Sequence, residues 1–426
     1  MNYDFYKLDN GVRVVLVPMP GVESVAVGVF TQTGSRYETA QINGISHFLE
    51  HMVFKGTKNY PSHEETSHLE GLGAIQNAWT DTDATAYWCK IPAEHWEQAL
   101  DLMKDLALYP LIPEKELEIE RGVILEEINR KEDRPDELVG EESMKLMFPG
   151  HPLGMTILGE TEVIKRLKKE DFLEYHHGQY LPGRLTVALA GKLSNVSEIK
   201  NQIQKMFGGL SGEPGKDPVR FTDNQEKPEI VIKSKELAAQ AHIGLSVRGL
   251  SVNDPDRWAL DVLTAYLGEG LSSRLFVELR EKRGLCYAVS AGGSRWDDTG
   301  TWGVYAGLNI DKLEAAVEAI WVEMKRMREY KLTGEELVQA KEKVRGPFIF
   351  AMENPYRQME FFARQVMDHP EKILSVEETI KQVMEIDAEQ IQKVAVRLFL
   401  NGKLNLAVVG PVEESRRNKL IDIMKE

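Results

Sequence analysis

The chain has 426 residues and a formal net charge of −15, from 52 Lys and Arg residues against 67 Asp and Glu residues. This length predicts two or three domains of about 100–200 residues, and the negative charge argues against nucleic acid or an anionic membrane as the main partner. Two cysteines, Cys89 and Cys286, cannot build a disulfide framework. Without a signal peptide or an apolar run near the ~20 residues of a membrane helix, the sequence predicts a cytoplasmic protein that is not bound to a membrane.

The first half begins with two predicted strands within residues 12–31, where β-branched runs flank a turn that contains Pro18, Pro20 and Gly21. A helix directly after Pro113 is favoured because proline is well tolerated at the start of a helix. A stretch rich in glycine and proline at residues 133–159 predicts loops. The further predicted helices are 42–54, 94–108, 114–129, 169–177 and 196–207, and the further predicted strands are 84–91 and 185–190.

The order of elements in the first half is repeated in the second half. A helix, a short break and a helix recur about 220 residues later, and LNLAVVG near the C-terminus echoes LTVALAG. Residues 212–228 contain three Pro and two Gly and separate the two copies. The sequence therefore predicts an α+β fold of two homologous domains that arose by duplication, 1–211 and 229–426, joined by a linker at 212–228. Each domain is expected to be a mostly antiparallel sheet packed with helices.

The N-terminal copy carries a candidate metal site in the segment His47-Phe48-Leu49-Glu50-His51. On a helix, His47 and His51 lie on one face and can bind a single ion, whereas Glu50 lies at the rim of that face. Two polar histidines on a solvent-facing helix would give the same pattern. A catalytic zinc ion needs three protein ligands and a water molecule, so the motif lacks one ligand.

A carboxylate from the predicted helix at 114–129 is the expected third ligand. Glu120 and Glu127 are seven residues apart and share a face, whereas Glu126 lies off that face. We predict Glu127 as the ligand and Glu120 as the carboxylate that orients a histidine.

These segments resemble the pitrilysin family of zinc metallopeptidases, whose signature is H-x-x-E-H. HFLEHMVFKGT is similar to the β-subunit of mitochondrial processing peptidase, a family member, and ERGVILEEI is similar to the family's sequence around the third ligand. Glu127 lies 76 residues past His51, as the family's glutamate ligand does. The later segments that resemble family landmarks are GAIQNAWTDTDATAYW, FPGHPLGMTILGETEVI and YLPGRLTVALAGKL. The resemblance covers nearly the whole chain and implies one Zn²⁺ per chain.

The resemblance also assigns chemistry to particular side chains. Glu50 is expected to act as the general base. LREKRGLCYAV resembles the family's Arg/Tyr pair, carried here by Arg280 and Tyr287, with Tyr287 donating to the oxyanion and Arg280 holding a substrate carbonyl. Without the family, the same stretch is typical of a charged helix end capped by Gly284. Pro347 falls where Glu127 would repeat, so the second copy is not expected to hold a metal.

Other polar residues allow two interpretations. Asn77 and Ala78 are expected on an exposed sheet edge that an extended peptide can join, with Asn77 contacting substrate or Glu50; a polar residue at a strand end is the alternative. His151 and the pair His176-His177 are expected to be structural or solvated.

The sequence thus predicts a zinc-dependent endopeptidase that cleaves peptides or unfolded polypeptide segments in an enclosed chamber. The resemblance to the family's short members implies two paired chains, and the presence of both the metal ligands and the Arg/Tyr pair in one chain favours a homodimer. The alternative is a non-catalytic assembly subunit like the processing-peptidase homologues of respiratory complexes. The presence of His47, Glu50, His51 and Glu127 disfavours this alternative.

Overall fold

The computed structural model describes residues 3–213, 215 and 217–426; positions 214 and 216 of the predicted linker lie outside the described residues. The strands are β1 (Asp4–Lys7), β2 (Arg13–Pro18), β3 (Ser24–Thr31), β4 (Ile75–Thr80), β5 (Thr85–Pro92), β6 (Leu185–Gly191), β7 (Glu229–Ser234), β8 (Ala241–Gly249), β9 (Ala288–Gly292), β10 (Gly300–Leu308) and β11 (Asn405–Gly410). The helices are α1 (Ile45–Val53), α2 (His63–Thr66), α3 (Trp96–Leu108), α4 (Glu114–Glu132), α5 (Pro135–Met147), α6 (Thr161–Ile164), α7 (Lys169–Gln179), α8 (Val196–Phe207), α9 (Arg257–Gly268), α10 (Leu313–Glu329), α11 (Gly334–Met352), α12 (Pro355–Asp368), α13 (Val376–Glu385), α14 (Ala388–Leu398) and α15 (Arg417–Lys425). A π-helical segment, Phe276–Lys282, lies between α9 and α10.

The described residues form two compact units, each with one sheet. Unit one comprises the described residues of Met1–Ile128, Met155–Pro218 and Ile349–Glu377. Unit two comprises Asn129–Gly154, Val219–Phe348 and Glu378–Glu426. This grouping corrects the predicted domains 1–211 and 229–426 in two segments, because α5 belongs to unit two and α12 belongs to unit one.

The two sheets repeat one strand order, which confirms the predicted pair of homologous α+β domains. The order in unit one is β1-β2-β6-β3-β5-β4, and the order in unit two is β7-β11-β8-β10-β9. Strands β7, β11, β8, β10 and β9 thus occupy the places of β2, β6, β3, β5 and β4. One pair in each sheet is parallel, β2 with β6 and β7 with β11, and the other pairs are antiparallel.

The sheet of unit one is covered on both faces, which explains why the near-continuous apolar strands β2 and β6 are almost entirely buried. One face packs against α1, α3, α4, α7 and α8. The other face packs against α12, whose Met359, Phe362 and Val366 lie against strand residues of the opposite parity. Arg364 of α12 also pairs with Asp81 at 2.9 Å.

The sheet of unit two is built in the same way. Its larger core packs against α9, α10, α14 and α15. The opposite face is covered by α5, through Leu138 and Val139 on the buried residues of β11. The sequence analysis expected loops at 133–159 and missed α5. Pro135 is the first residue of the helix, and Gly150 and Pro152 follow its end, so these residues bound the helix and do not interrupt it.

The predicted linker 212–228 has no helix or strand among its described residues, but its second part is packed and is not a free tether. Phe221 packs edge-to-face on Phe148 with ring centroids 4.8 Å apart. Asp223 pairs with Arg248 at 3.1 Å. Residues from Val219 onward therefore belong to the structure of unit two. No helix of the described chain combines the length and apolar character that crossing a bilayer requires.

Candidate metal centre and peptidase site

Helix α1 presents His47 and His51 from an otherwise apolar segment. Its sequence ISHFLEHMV buries Phe48, Leu49 and Met52 in the core of unit one, while both histidines keep part of their side chains exposed. The helix begins at Ile45 and not at residue 42, because Gly44 has φ of 94°. A side chain at Gly44 would collide with the backbone of residues 158 and 159, so the chain needs glycine there.

The N-terminus of α1 is anchored by buried polar groups. Both oxygens of the Glu38 carboxyl accept backbone hydrogen bonds, from Gly44 at 2.7 Å and from Ser46 at 2.8 Å. The Ser46 and Tyr175 hydroxyls are 2.6 Å apart. Burial raises the pKa of Glu38 to about 7, although the hydrogen bonds lower it. These contacts position the helix turn that carries His47.

His47, His51 and Glu127 form a cluster that can hold a metal ion. Among the described residues, these three offer ligand atoms that all lie within 4.8 Å of one another. The Oε2 atom of Glu127 is 3.7 Å from Nε2 of His47 and 3.9 Å from Nε2 of His51. The predicted ligand set is therefore brought together by two helices, α1 and α4.

The donor set fits zinc. Two imidazole nitrogens and one carboxylate oxygen are a known set for catalytic zinc, which leaves one position for water. Ligand atoms about 2.1 Å from a tetrahedral ion are about 3.4 Å apart. The observed carboxylate–imidazole separations of 3.7 and 3.9 Å are slightly wider than this spacing.

Glu120, which the sequence analysis predicted to orient a histidine, lies beside one of the two imidazoles. Its Oε2 is 3.1 Å from Nδ1 of His51. Lys55 contacts the other oxygen of Glu120 at 2.6 Å. A proton on Nδ1 of His51 leaves Nε2 free toward Glu127, which is the tautomer that a metal ligand requires. Glu120 is itself buried, so this pairing is well shielded from solvent.

Glu50 lies beside the cluster but is not one of its three ligands. Thr80 at the end of β4 donates a hydrogen bond to Oε2 of Glu50 at 2.6 Å. Burial raises the pKa of Glu50 above its usual value, whereas the bond from Thr80 and the neighbouring His51 lower it. A partly buried carboxyl with a raised pKa is suited to taking up a proton near neutral pH.

The structure corrects the suggestion that Asn77 contacts Glu50. Successive side chains of a strand alternate between the two faces, so Asn77 and Thr80 point to opposite sides. Ala78 is buried in the core on the side of Thr80, and Asn77 is exposed and pairs across the sheet with Trp88. The side chain of Asn77 accepts a hydrogen bond from its neighbour Ala78. Thr80 is the residue that the sequence analysis missed, and its role follows from the tertiary contact with Glu50.

Strand β4 lies at the edge of the sheet of unit one, where the sequence placed Asn77 and Ala78. Within the described sheet β4 pairs only with β5, so the backbone groups along its other side are available to an added strand. Ile75, at the start of β4, is 64% exposed. The edge thus offers backbone groups beside an apolar side chain.

Arg280 and Tyr287 belong to unit two. Arg280 is exposed near the end of the π-helical segment and lies over the ring of Phe276 at 4.8 Å. Gly284 follows with φ of 58° and ends the helical segment, as expected for a glycine cap. Tyr287 directly precedes β9 and is 44% exposed. Both side chains are accessible within their own unit.

The other histidines singled out by the sequence have structural contacts. Nε2 of His176 is 2.8 Å from the carbonyl oxygen of Ala107, and burial lowers the pKa of His176 to about 4. Nε2 of His151 is 3.0 Å from the carbonyl oxygen of Val219. Cys89 and Cys286 are free and buried.

Comparison with known proteins gives consistent matches over the chain. Residues 13–161 match the insulinase family, peptidase family M16, and residues 166–344 match the family described as the peptidase M16 inactive domain. An uncharacterized zinc protease of Bacillus subtilis, YmxG, is 34% identical over 95% of this chain and 98% of its own length. Another, from Streptomyces coelicolor, is 30% identical over 97% of this chain and 91% of its own length.

Solved structures share the fold. A protease from Helicobacter pylori superposes with a TM-score of 0.90 at 24% identity, covering 96% of this chain and 99% of that one. A peptidase M16 inactive domain from Pseudomonas fluorescens gives a TM-score of 0.88 at 20% identity, with 97% and 99% covered. The family matches, the relatives and the H-x-x-E-H helix with its glutamate ligand together show that this chain belongs to the M16, or pitrilysin, family of zinc proteases, in its short two-domain form.

Proposed function

We propose that this protein is an active zinc-dependent endopeptidase that hydrolyses peptides or unfolded polypeptide segments. The observation that carries the proposal is the convergence of His47, His51 and Glu127, with a partly buried Glu50 held beside them by Thr80. A subunit that had lost catalysis would have no need to retain both the ligands and the base. The names of the relatives, which are called zinc proteases, support the same conclusion.

Each side chain of the cluster has a distinct task in hydrolysis. A bound zinc ion would supply Lewis acidity, polarising the scissile carbonyl and acidifying water. His47, His51 and Glu127 would hold it, and Glu120 would keep His51 in the correct tautomer. Glu50 takes the proton of the attacking water and returns it to the leaving amine, acting as base and then as acid.

The proposal gives unit two a role in stabilising negative charge. Tyr287 donates to the developing oxyanion and Arg280 holds a substrate carbonyl, as the resemblance to the family implies. Their exposure supports this role, because a donor must be accessible to substrate. Removal of one oxyanion donor typically lowers kcat by about 10²–10³-fold.

The proposed substrate is an extended polypeptide. Edge strand β4 can pair with a substrate backbone through main-chain hydrogen bonds, which select extended conformation more than sequence. Asn77 and Ala78 would contact that substrate strand. We further propose a cytoplasmic homodimer that encloses the cleavage chamber, since one chain carries the metal ligands and the Arg/Tyr pair.

The test is a cleavage profile of the full-length protein on a diverse peptide library, with zinc analysis and molar mass measured on the same sample. The expected result is internal cleavage with about one zinc per chain and a dimeric mass. A matched Glu50→Gln sample shows whether the cleavage belongs to this site. Bound zinc without cleavage of any library peptide would favour the non-catalytic assembly subunit instead.

A further inference from the structure

A chain of hydrogen-bonding side chains ends at Tyr287 in unit two. Nδ1 of His242 on β8 lies 2.8 Å from the Tyr305 hydroxyl on β10. Their rings are stacked with centroids 5.9 Å apart. Tyr305 in turn shares a side-chain hydrogen bond with Tyr287. None of these contacts is needed to form the sheet, so they call for another explanation.

Strand register brings the three side chains to one face of the sheet. His242 pairs with Gly307 across β8 and β10, and Tyr305 is two residues before Gly307 on the same face. The backbone N–H of Tyr287 donates to the carbonyl of Gly307 at 3.0 Å. A Cβ atom at Gly307 would lie only 2.6–2.7 Å from the hydroxyl and ring of Tyr287. The ring of Tyr287 therefore lies against the bare backbone of Gly307.

The hydrogen bonds of this chain can all run toward Tyr287. Burial raises the pKa of Tyr305 above its usual range, and its contact with Tyr287 raises it further, so Tyr305 keeps its proton and can donate it to the Tyr287 oxygen. Tyr305 can then accept a hydrogen bond from Nδ1–H of His242. The charge of Asp136 on α5 favours a proton on His242, although burial has the larger and opposite effect on the pKa of His242.

This direction matters for the Tyr287 hydroxyl. If its oxygen accepts a hydrogen bond from Tyr305, its own proton remains free to donate to another group. Donors that act in series also polarise one another, which strengthens the last donor in the chain. If the direction were reversed, Tyr287 would donate to Tyr305, and its proton would be occupied.

We infer that Tyr305 and His242 are positioning residues that hold the Tyr287 hydroxyl as a free, strengthened donor for the substrate oxyanion. This inference rests on the proposed role of Tyr287 in catalysis and extends it to two residues outside the H-x-x-E-H and Arg/Tyr motifs. Gly307 completes the arrangement because its lack of a side chain lets the Tyr287 ring lie close to the strand.

The experiment is a double-mutant cycle on the zinc-loaded full-length protein, with kcat and KM measured for one cleaved peptide. Tyr287→Phe is expected to lower kcat by about 10²–10³-fold. Tyr305→Phe is expected to lower kcat by roughly three- to tenfold, the factor equivalent to one hydrogen bond, with little change in KM. In the Tyr287→Phe background, Tyr305→Phe should have no further effect, because it acts through Tyr287.

Tyr266→Phe is the matched control. Tyr266 is also a half-buried tyrosine of unit two, but its hydroxyl donates to Glu336 at 3.0 Å. Its removal should leave kcat unchanged. A second variant, Gly307→Ala, should displace the Tyr287 ring and reduce kcat while Tyr305 stays intact.

A readout independent of catalysis is the tautomer of His242, measured by ¹⁵N NMR on zinc-free protein. The inference is supported if Nδ1 of His242 carries a proton in the wild type and its protonation changes in Tyr305→Phe. An unprotonated Nδ1, or equal effects of Tyr305→Phe in both backgrounds, overturns it while leaving the role of Tyr287 intact. If Tyr287→Phe itself retains full kcat, the proposed function of unit two fails first, and the inference fails with it.

Discussion

The two units share a strand order but differ in the helices that carry chemistry. In unit one, α1 supplies two histidines, and α4 supplies Glu120 and Glu127. In unit two, the helix that follows β8 is α9, whose sequence RWALDVLTAYLG contains no histidine. Helix α11 is 19 residues long, as α4 is, but it contains Pro347 in its interior. The sheet is retained in both copies, whereas the metal site is present in one.

This difference shows how little of a fold a metal site requires. The strand order depends on many buried apolar residues spread over the strands and the helices that cover them. The cluster depends on three side chains on two helices, and a single proline at the equivalent place is incompatible with it. The second copy is thus free to present other groups, such as Arg280 and Tyr287, from a comparable frame.

The largest expected effect is loss of the metal, which would remove the difference between the two units. His51→Ala and Glu127→Ala each remove a ligand, so both should lose zinc under mild chelation that spares the wild type, and peptide cleavage should fall to background. Metal analysis after dialysis measures this. His177→Ala, which changes an exposed histidine of unit one, should keep its zinc. Full zinc in Glu127→Ala and loss in Glu120→Ala would mean that the two carboxylates have exchanged roles.

The next effect separates chemistry from metal binding. Glu50→Gln removes the base but none of the three ligands, so zinc should stay at about one per chain while kcat falls by roughly 10²–10⁴-fold. Paired zinc and rate measurements on one preparation test this. Loss of zinc in parallel with activity would show that Glu50 is a ligand.

A smaller effect is expected at the carboxylate that orients His51. Glu120→Ala removes the contact at 3.1 Å and should weaken zinc affinity by about 10–100-fold without abolishing binding. Competition with a chelator of known affinity gives the value. Glu126→Ala is the control, because Glu126 is exposed on the same helix. Unchanged zinc affinity in Glu120→Ala would remove Glu120 from the site.

The last effect lies outside the metal site and concerns the anchor of α1. Burial raises the pKa of Glu38 from 4.5 to about 7, so the folded protein holds this proton in a range where the unfolded chain releases it. Stability should therefore fall as pH rises from about 4.5 to about 7 and level off above, by about 1.4 kcal/mol for each pKa unit of difference.

Glu38→Gln cannot ionise and should lose this part of the pH dependence. Urea unfolding of chelator-treated wild type and variant at pH 5 and pH 7.5 compares the two slopes without a contribution from zinc. Identical slopes would show that Glu38 does not carry a raised pKa in the folded protein.

The sequence was informative where spacing determines geometry. His47, His51 and Glu127 were predicted from helical periodicity, from the resemblance and from the 76 residues that separate Glu127 from His51, and the structure brings them together. The duplication was predicted from repeated element order and is confirmed by the strand orders. Helical spacing and the order of elements are properties of the sequence itself, so they can be recognised without the structure.

The sequence was not informative where tertiary contacts decide. Thr80 holds Glu50 because β4 faces α1 on the side of Ala78, and no local pattern distinguishes it from Asn77. The sequence analysis missed α5 because the prolines at its two ends are also typical of loops. Helix α5 of the first sequence half belongs to unit two, and α12 of the second half belongs to unit one. This exchange depends on which sheet each helix covers, which is decided by contacts between residues far apart in the sequence.

That exchange has a consequence for synthesis of the chain. The sheet of unit one needs α12, whose Met359 and Phe362 cover strands made more than 150 residues earlier. At about 5–20 residues per second, a ribosome reaches α12 many seconds after it has made β6. During that interval one apolar face of the N-terminal sheet lies bare, so the nascent chain should be a client for chaperones until residue 368 emerges. For the same reason, a fragment that ends at residue 211 would lack α12, which covers one face of its sheet. Such a fragment would be a poor test of metal binding or catalysis by unit one.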